Sequence, residues 1–451
     1  MRPLANPFMK FMLATMSLVV LAAPVRAQEI ENPYAPKATE RAKTQPNSVS
    51  YARMHDARGL NVFETPKVEG VPYDGFKMQW GAAFTQQFQS LKHENSQAPI
   101  PAADTLIKIG SGFNNAEANL YMDAQLARGM RVALTSYLSS RHHNETWVKD
   151  GYLLIDGSPW ENETLDKVME YVTLRLGHME INYGDMHFRR TDNGSAMFNP
   201  LVGNLLMDAF TTEVGGEVYV RKGEYMGMVA VTGGEVRGQV IKPENRSPAV
   251  IAKVGYDKTF EPGTRFRITG SLYNTSKSNN NTLFSGNRSG SRYYYVLENK
   301  GATETAQAWS GDVRPGMTRK VQAWVINPFV TYKGLELFGN YEQAKGRTLT
   351  ETADRKVTQW AAEGVYRFLN NNLYVAGRYN QVKGRIQDAS GAPTAADVTV
   401  NRTQIGGGWF LTQTALAKLE YVKQEHRDYP LASRFAEGNF HGVMFEAVVS
   451  F

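Results

Sequence analysis

The sequence predicts an all-β protein, a transmembrane antiparallel β-barrel of about 16 strands with one loop folded into its lumen. Three observations lead to this prediction. Apolar and polar residues alternate with a period of two from residue 76 onward. The connections between these segments are short and long in turn, and the chain ends on an alternating segment that closes with Phe451. Alternation of this kind indicates strands with one apolar and one polar face.

Composition excludes several classes of protein. Of 451 residues, 42% are hydrophobic and 11% aromatic, and the mean hydropathy is −0.41. After the N-terminus the sequence has no run of the roughly 20 apolar residues that a spanning helix needs. Cysteine is absent from the sequence, which excludes disulfides, thiol catalysis and cysteine zinc sites.

The first 27 residues have the pattern of a signal peptide. Arg2 and Lys10 form a basic start, residues 11–23 are mostly apolar, and residues 25–27 give a small-residue cleavage pattern, so we predict cleavage after Ala27. This segment carries three basic residues and no acidic one, so its removal lowers the formal charge from +6 to +3. The smaller charge leaves little support for nucleic-acid binding, and no nucleic-acid partner is expected.

Residues 28–75 are polar and rich in proline and lysine, a composition that cannot bury a core of its own. We predict that these residues form a periplasmic N-terminal extension. The sequence leaves open whether this extension lies inside or under the barrel. Residues 76–451 are predicted to form the barrel.

Sixteen alternating segments can be counted after residue 75, and most are about as long as a tilted strand that crosses a bilayer. They lie at 76–90, 117–127, 130–140, 148–156, 166–182, 212–221, 224–232, 247–257, 264–274, 320–332, 334–344, 357–368, 372–382, 402–411, 414–424 and 438–451.

The connections alternate in length, a pattern that is not expected of a water-soluble β-sandwich. Tight turns such as Arg128-Gly129 and Lys333-Gly334 alternate with long connections, of which the longest spans residues 274–319. Short turns on the periplasmic rim and long loops on the external rim are typical of outer-membrane barrels. The polar runs NTSKSNNN and NRSGS in the longest connection predict an exposed surface loop.

Outward aromatic rings are expected at the two membrane interfaces. The rings predicted for the outer rim are Trp324, Tyr341, Trp360, Tyr379 and Tyr421, and those for the periplasmic rim are Tyr332, Tyr366, Phe368, Trp409 and Phe451. The alternative is a soluble all-β protein in which these rings are buried between two packed sheets.

Two stretches carry a resemblance to a known family. The final strand, with Val443, Phe445, Ala447, Val449 and Phe451 on one face, resembles the sorting signal of bacterial outer-membrane barrels, which implies recognition by the barrel-assembly machinery. Residues 171–220, with GHMEINYGD, FRRTDNG and EVGGEVY, and residues 326–342, INPFVTYKGLELFGNYE, resemble porin-like proteins of the phosphate-selective porin type in layout. The resemblance implies a porin in contact with outer-membrane lipid, leaves a homotrimer open, and does not name the solute.

If the apolar face meets lipid, the polar face lines the lumen, and about 16 strands leave an aqueous channel. The basic residues predicted for this pore wall are Arg131, Arg175, Lys253, Arg265, Arg267, Arg378, Arg402 and Lys418. The acidic ones are Glu213, Glu217, Glu336, Glu342, Glu363, Glu420 and Glu446. The two sets nearly cancel, so ion preference should be decided at the narrowest point rather than by rings of one sign.

The stretch over residues 171–220 contains a loop that is too long and too highly charged for an ordinary hairpin. We predict that it drops into the lumen and forms the pore constriction, with Asp185, His187, Arg189, Arg190, Asp192 and Asn193 at the passage. Arg189 and Arg190 could hold a carboxylate or phosphate through bidentate hydrogen bonds. The alternative is that both arginines pair with Asp185, Asp192 or wall glutamates and only pin the loop.

These features predict a passive diffusion channel for small hydrophilic solutes in a Gram-negative-type outer membrane. Whether these solutes are anions is left open. No cofactor, metal or catalysis is expected. A non-conducting structural or adhesive barrel is the main alternative, and a barrel hydrolase is the third. Asp185 and His187 lie two residues apart, but the sequence offers no convincing serine partner or second acid to complete a catalytic constellation.

Overall fold

The computed structural model describes residues 49, 52–65, 73–141, 146–238 and 240–451. The predicted signal peptide lies outside these residues, and the predicted extension over 28–75 lies outside them except at 49, 52–65 and 73–75. Both therefore stay predictions. Within the described part of the chain, no helix is long and apolar enough to cross a membrane.

The described residues form one sheet of seventeen strands, which we number in chain order. They are β1 (Lys77–Glu94), β2 (Gly112–Phe113), β3 (Glu117–Ala127), β4 (Met130–Ser139), β5 (Trp147–Ile155), β6 (Val172–Glu180), β7 (Thr212–Lys222), β8 (Tyr225–Thr232), β9 (Ala249–Glu261), β10 (Thr264–Thr275), β11 (Lys320–Tyr332), β12 (Leu335–Arg347), β13 (Arg355–Phe368), β14 (Leu373–Gly384), β15 (Val398–Thr412), β16 (Ala415–Arg427) and β17 (Asn439–Ser450).

Strand β1 closes the barrel. It pairs antiparallel with β17 over residues 83–94 and with β3 over residues 77–85. The two-residue β2 pairs with β1 at residues 88 and 89. The other strands pair with their neighbours in chain order. The predicted closed antiparallel barrel of sixteen strands is confirmed, since β2 only supplements the ring.

The predicted strand segments all contain a strand, with one local difference. The fifth segment was expected to be extended from residue 166, but residues Glu163–Met169 form a short helix, α1, and β6 begins at Val172. The Asn162 side chain accepts hydrogen bonds from the amides of Thr164 and Leu165, which caps this helix at its N-terminus. Alternation alone does not report such a cap.

The predicted aromatic residues point outward. On one side of the barrel wall the rings of Trp324 and Tyr341 lie 5.4 Å apart, those of Trp360 and Tyr379 lie 5.0 Å apart, and Tyr341 stands opposite Trp360 in the register. Near the short turns Tyr332, Trp409 and Phe451 are exposed. The soluble alternative, with these rings buried between sheets, is therefore wrong.

The short turns lie on the same rim of the barrel as the start of β1 and the end of β17. The turn between β11 and β12 has positive φ at both Lys333 (46°) and Gly334 (86°), the conformation that matches strand twist in two-residue hairpins. The connection between β5 and β6 on the same rim is longer, because it holds α1.

The barrel interior is filled with chain, in contrast to the expected wide aqueous channel. Three segments enter it: an inner segment (residues 52–65), a crossing loop (residues 181–211) and an upper loop (residues 276–319). The upper loop was predicted to be exposed, and this is wrong for most of residues 278–297. Tyr293, for example, is fully buried and donates a hydrogen bond of 2.6 Å to Glu420 of β16.

Candidate functional site

The crossing loop bridges opposite walls of the barrel. At one end the Asn193 amide donates hydrogen bonds to the carbonyl oxygens of Ala118 in β3 and Leu138 in β4. At the other end the Arg189 guanidinium lies 2.7 Å from Glu363 in β13 and 3.4 Å from Glu336 in β12. Since β12 and β13 stand across the ring from β3 and β4, the loop divides the lumen.

A buried ion network joins the crossing loop and the inner segment to the wall. The Asp185 carboxylate lies 2.7 Å from Lys253 Nζ and 2.8 Å from Arg267 Nε. Glu64 of the inner segment contacts the same two bases at 2.9 and 2.8 Å. Burial by itself would raise the pKa of Asp185 and of Glu64, but the charges of Lys253 and Arg267 hold both below their usual values.

The two adjacent arginines have different positions, and each is already paired. Arg189 contacts Asn61 of the inner segment in addition to Glu363, and it lies away from the open part of the lumen. Arg190 makes a bidentate pair with Asp208, at 3.1 and 2.6 Å, over the ring of Phe210. Burial lowers the pKa of the Arg190 guanidinium, but Asp208 and Asp192 raise it above its usual value. Both arginines therefore hold the loop in place.

Most of the predicted wall bases bind chain inside the barrel rather than face water. Lys418 Nζ donates to the carbonyl oxygens of Ala196, Asn199 and Leu201, at 2.8 to 3.1 Å. Comparable bonds to a backbone carbonyl or a carboxylate of the crossing loop or the inner segment are made by Lys253, Arg265, Arg267, Arg378 and Arg402. These donors satisfy backbone and carboxylate groups that have left bulk water.

An open cavity of about 220 Å³ remains between the crossing loop and the wall formed by β3 to β7. A second cavity, of about 120 Å³, shares lining residues with it and extends along β3 to β5. Of the predicted constriction residues, His187, Arg190 and Asp192 line the first cavity, whereas Asp185, Arg189 and Asn193 do not. Of the predicted wall bases, Arg175 lines the first cavity and Arg131 the second.

Lys149 is a cavity residue that sequence reasoning missed. Its Nζ lies 2.6 Å from Asp192 of the crossing loop, 2.8 Å from Glu180 and 4.0 Å from Asp150. Strict alternation would turn either Lys149 or Asp150 toward lipid. The pairing of β4 with β5 shifts here, so that Ser136 stands opposite Val148 and Thr135 opposite Asp150. This bulge leaves Lys149 as the extra residue, and both side chains line the cavity.

His187 completes the rim of the cavity beside Lys149. One ring nitrogen lies 2.6 Å from Glu180 and the other 3.0 Å from the Asn182 amide oxygen. Burial lowers the pKa of His187 below its ordinary value, despite the opposing effect of Glu180. The ring is therefore held in a fixed position at the cavity rim by contacts on both of its nitrogens.

The inner segment occupies the lumen at the short-turn rim. The Ala57 amide donates to the carbonyl oxygen of Gln413 in the β15–β16 turn, at 3.0 Å. Asn61 donates to Glu336 at 2.7 Å, and Phe63 packs edge-on against Phe329 with ring centroids 5.2 Å apart. This side of the barrel is closed by the segment, and the open space lies on the β3–β7 side.

Solved structures with the same architecture come from outer-membrane proteins. An anion-selective porin from Comamonas acidovorans matches with a TM-score of 0.51 and 11% identity, over 83% of this chain and 100% of its own. The outer membrane channel DcaP of Acinetobacter baumannii matches with a TM-score of 0.50 and 11% identity, over 85% and 100%. The chain has the porin fold. A trimer form of OmpT, an outer membrane protein of Vibrio cholerae, gives a TM-score of 0.47 and 10% identity, over 84% and 100%.

Neither a protein-family model nor a curated protein sequence matches the chain. Identities near 10% show the fold alone, so these solved structures do not indicate which residues of this chain select a solute.

Proposed function

We propose that the chain is a narrow outer-membrane porin, a passive diffusion channel for small hydrophilic solutes. The observation that carries the proposal is the charged cavity between the crossing loop and the β3–β7 wall, in a barrel with the porin fold. The crossing loop and the inner segment reduce the lumen to this side, so the passage admits small solutes only. Reconstitution in planar bilayers tests the proposal: steady current in KCl supports it.

The proposal includes the route to the membrane. Cleavage after Ala27 would release the mature chain, and the C-terminal strand would guide it to the barrel-assembly machinery. The strand supports this idea because the amide and carbonyl of Phe451 both bond to Ala82 of β1, at 2.9 and 3.0 Å. A homotrimer in the outer membrane is also part of the proposal, and crosslinking of the purified protein tests it.

A non-conducting structural or adhesive barrel is the second candidate. The observation that favours it is the inner segment, which fills the lumen beside β12 and β15. A barrel that shifts on heating in gel electrophoresis, and is therefore folded, but carries no current would favour this candidate over the porin.

The charged side chains that line the cavity nearly balance, with the bases Arg53, Lys149, Arg175, Arg190 and Arg221 and the acids Glu64, Asp150, Glu180 and Asp192. Three carboxylates, Asp150, Glu180 and Asp192, stand around the single ammonium of Lys149. A field that is fixed by such groups at a narrow point decides ion preference. In a lining this close to balance, the ion preference should be sensitive to the single charge of Lys149.

Lys149→Met should increase the preference for potassium over chloride. The change leaves the three carboxylates without their ammonium, and about 1 kcal/mol of lost repulsion for a cation corresponds to about a fivefold change in permeability ratio. The measurement is the reversal potential in a KCl gradient. Lys423→Met is the matched control, because Lys423 pairs with Glu425 on the exposed face of the barrel. Equal reversal potentials in all three proteins would remove Lys149 from the passage.

A further inference from the structure

Among the described residues, three side chains at the open cavity have polar atoms with neither a hydrogen-bond partner nor an ion-pair partner. They are Oδ1 of Asp150, Oγ1 of Thr173 and Nε of Arg175. All three residues line the same cavity, and Asp150 and Thr173 are only 6% and 7% exposed. Buried polar groups in proteins are nearly always paired, because an unmade hydrogen bond costs free energy. An unpaired acceptor, a hydroxyl and an unpaired donor in one cavity therefore indicate a place for a polar solute.

The charged groups that are already paired limit the class of solute. Lys149 is engaged by Glu180 and Asp192, and Arg190 by Asp208. A simple anion would find few free donors here, whereas the carboxylate of Asp150 offers a free acceptor for an ammonium group. Arg175 gives one N–H to Glu217 at 2.7 Å and keeps Nε free for a carboxylate.

Aromatic rings form the apolar part of the cavity. The Arg175 guanidinium lies over the Tyr152 ring at 4.3 Å from its centroid, and His55 stacks on Tyr121 with ring centroids 3.5 Å apart. Both tyrosines line the two cavities. Rings beside one acid and one base suit a small molecule that has an ammonium, a carboxylate and a short carbon skeleton.

We propose that this cavity is a binding site for small zwitterionic solutes of the α-amino acid type on their way through the barrel. Asp150 and Thr173 hold the ammonium group, Arg175 Nε holds the carboxylate, and the rings of Tyr121 and Tyr152 flank the side chain. This inference rests on the proposed channel function and names its solute class.

Block of the KCl current by added L-alanine tests the site. In wild-type channels L-alanine should reduce the current in a saturable way, and acetate and ethylammonium, each carrying one of its two charges, should need at least roughly ten times the concentration. Asp150→Asn should raise the half-blocking concentration of L-alanine about tenfold, because it removes a charge-assisted hydrogen bond. Thr173→Val should raise it by a smaller factor.

Glu163→Gln, on the exposed surface of α1, is the control and should behave as wild type. Block by acetate as strong as block by L-alanine would overturn the zwitterion class and indicate an anion site. Equal block in Asp150→Asn and wild type, or no block by any solute, would overturn the site. Heat-dependent gel mobility shows whether each variant is folded, and Thr173→Val keeps the test decisive if Asp150→Asn does not fold.

A barrel that carries no KCl current would refute the channel and not the binding site. Isothermal titration of the detergent-solubilised protein with L-alanine then decides. Binding to wild type that is about tenfold weaker in Asp150→Asn supports the site. Absence of binding to wild type overturns it.

Discussion

Deletion of residues 52–65 is expected to raise the single-channel conductance of this barrel severalfold. The segment fills the lumen at the short-turn rim through bonds to Gln413 and Glu336 and packing against Phe329. It contributes no strand to the sheet, so the barrel should fold without it. The crossing loop should also stay docked, because Arg189 keeps Glu363 and Asp185 keeps Lys253 and Arg267.

A disulfide between the inner segment and the barrel wall tests whether the segment stays in place or leaves the lumen during conduction. The chain has no cysteine, so the double variant Ala57→Cys with Gln413→Cys introduces the only thiol pair, at two residues joined by a backbone hydrogen bond of 3.0 Å. We expect oxidised and reduced forms to conduct equally, since the proposed passage runs on the β3–β7 side. Current only after reduction would show that conduction needs the segment to move. Unchanged conductance in the deletion variant would show that the segment does not limit the passage.

The barrel itself could be predicted because each strand repeats the same simple signal. Alternation with a period of two reports which face of a strand meets apolar surroundings, and it holds from β1 to β17 because the outer face meets lipid throughout. The same signal failed where the geometry changes locally. At Lys149 one extra residue in the strand reverses the alternation, and the sequence shows neither the bulge nor its position.

The contents of the lumen were harder to predict, because a polar composition does not distinguish a solvent-exposed loop from a loop inside a polar cavity. Asn281 illustrates the point: it belongs to the run NTSKSNNN but is buried, and it donates to Gly234 and Tyr273 at 2.9 and 2.6 Å. Charge density did point to the crossing loop. It could not separate Arg190, which reaches the cavity, from Arg189, which faces the opposite wall, because their partners come from distant strands.

Asp185→Ala should lower the free energy of unfolding by about 3 to 5 kcal/mol, the usual cost of removing one partner from a buried ion pair. Among the described residues, Lys253 and Arg267 would then keep Glu64 as their shared counter-ion. Equilibrium unfolding in urea measures the change. Asp257→Ala is the matched control: this carboxylate also contacts Arg267, at 3.0 Å, but it is partly exposed, so its removal should cost about 1 kcal/mol or less.

The pH dependence of the difference in unfolding free energy between wild type and Asp185→Ala provides a second, independent measurement. The pKa of Asp185 in the folded protein is held below its usual value, chiefly by Lys253 and Arg267 against the opposing effect of burial. Its stabilising contribution is therefore complete above about pH 4, the ordinary carboxyl range, and is lost as the pH falls through the lowered folded pKa. The gap between wild type and Asp185→Ala should be constant near neutrality and shrink only in acid. A gap that instead narrows between pH 5 and 8, or equal losses for Asp185→Ala and Asp257→Ala, would mean that the network does not hold the crossing loop to the wall.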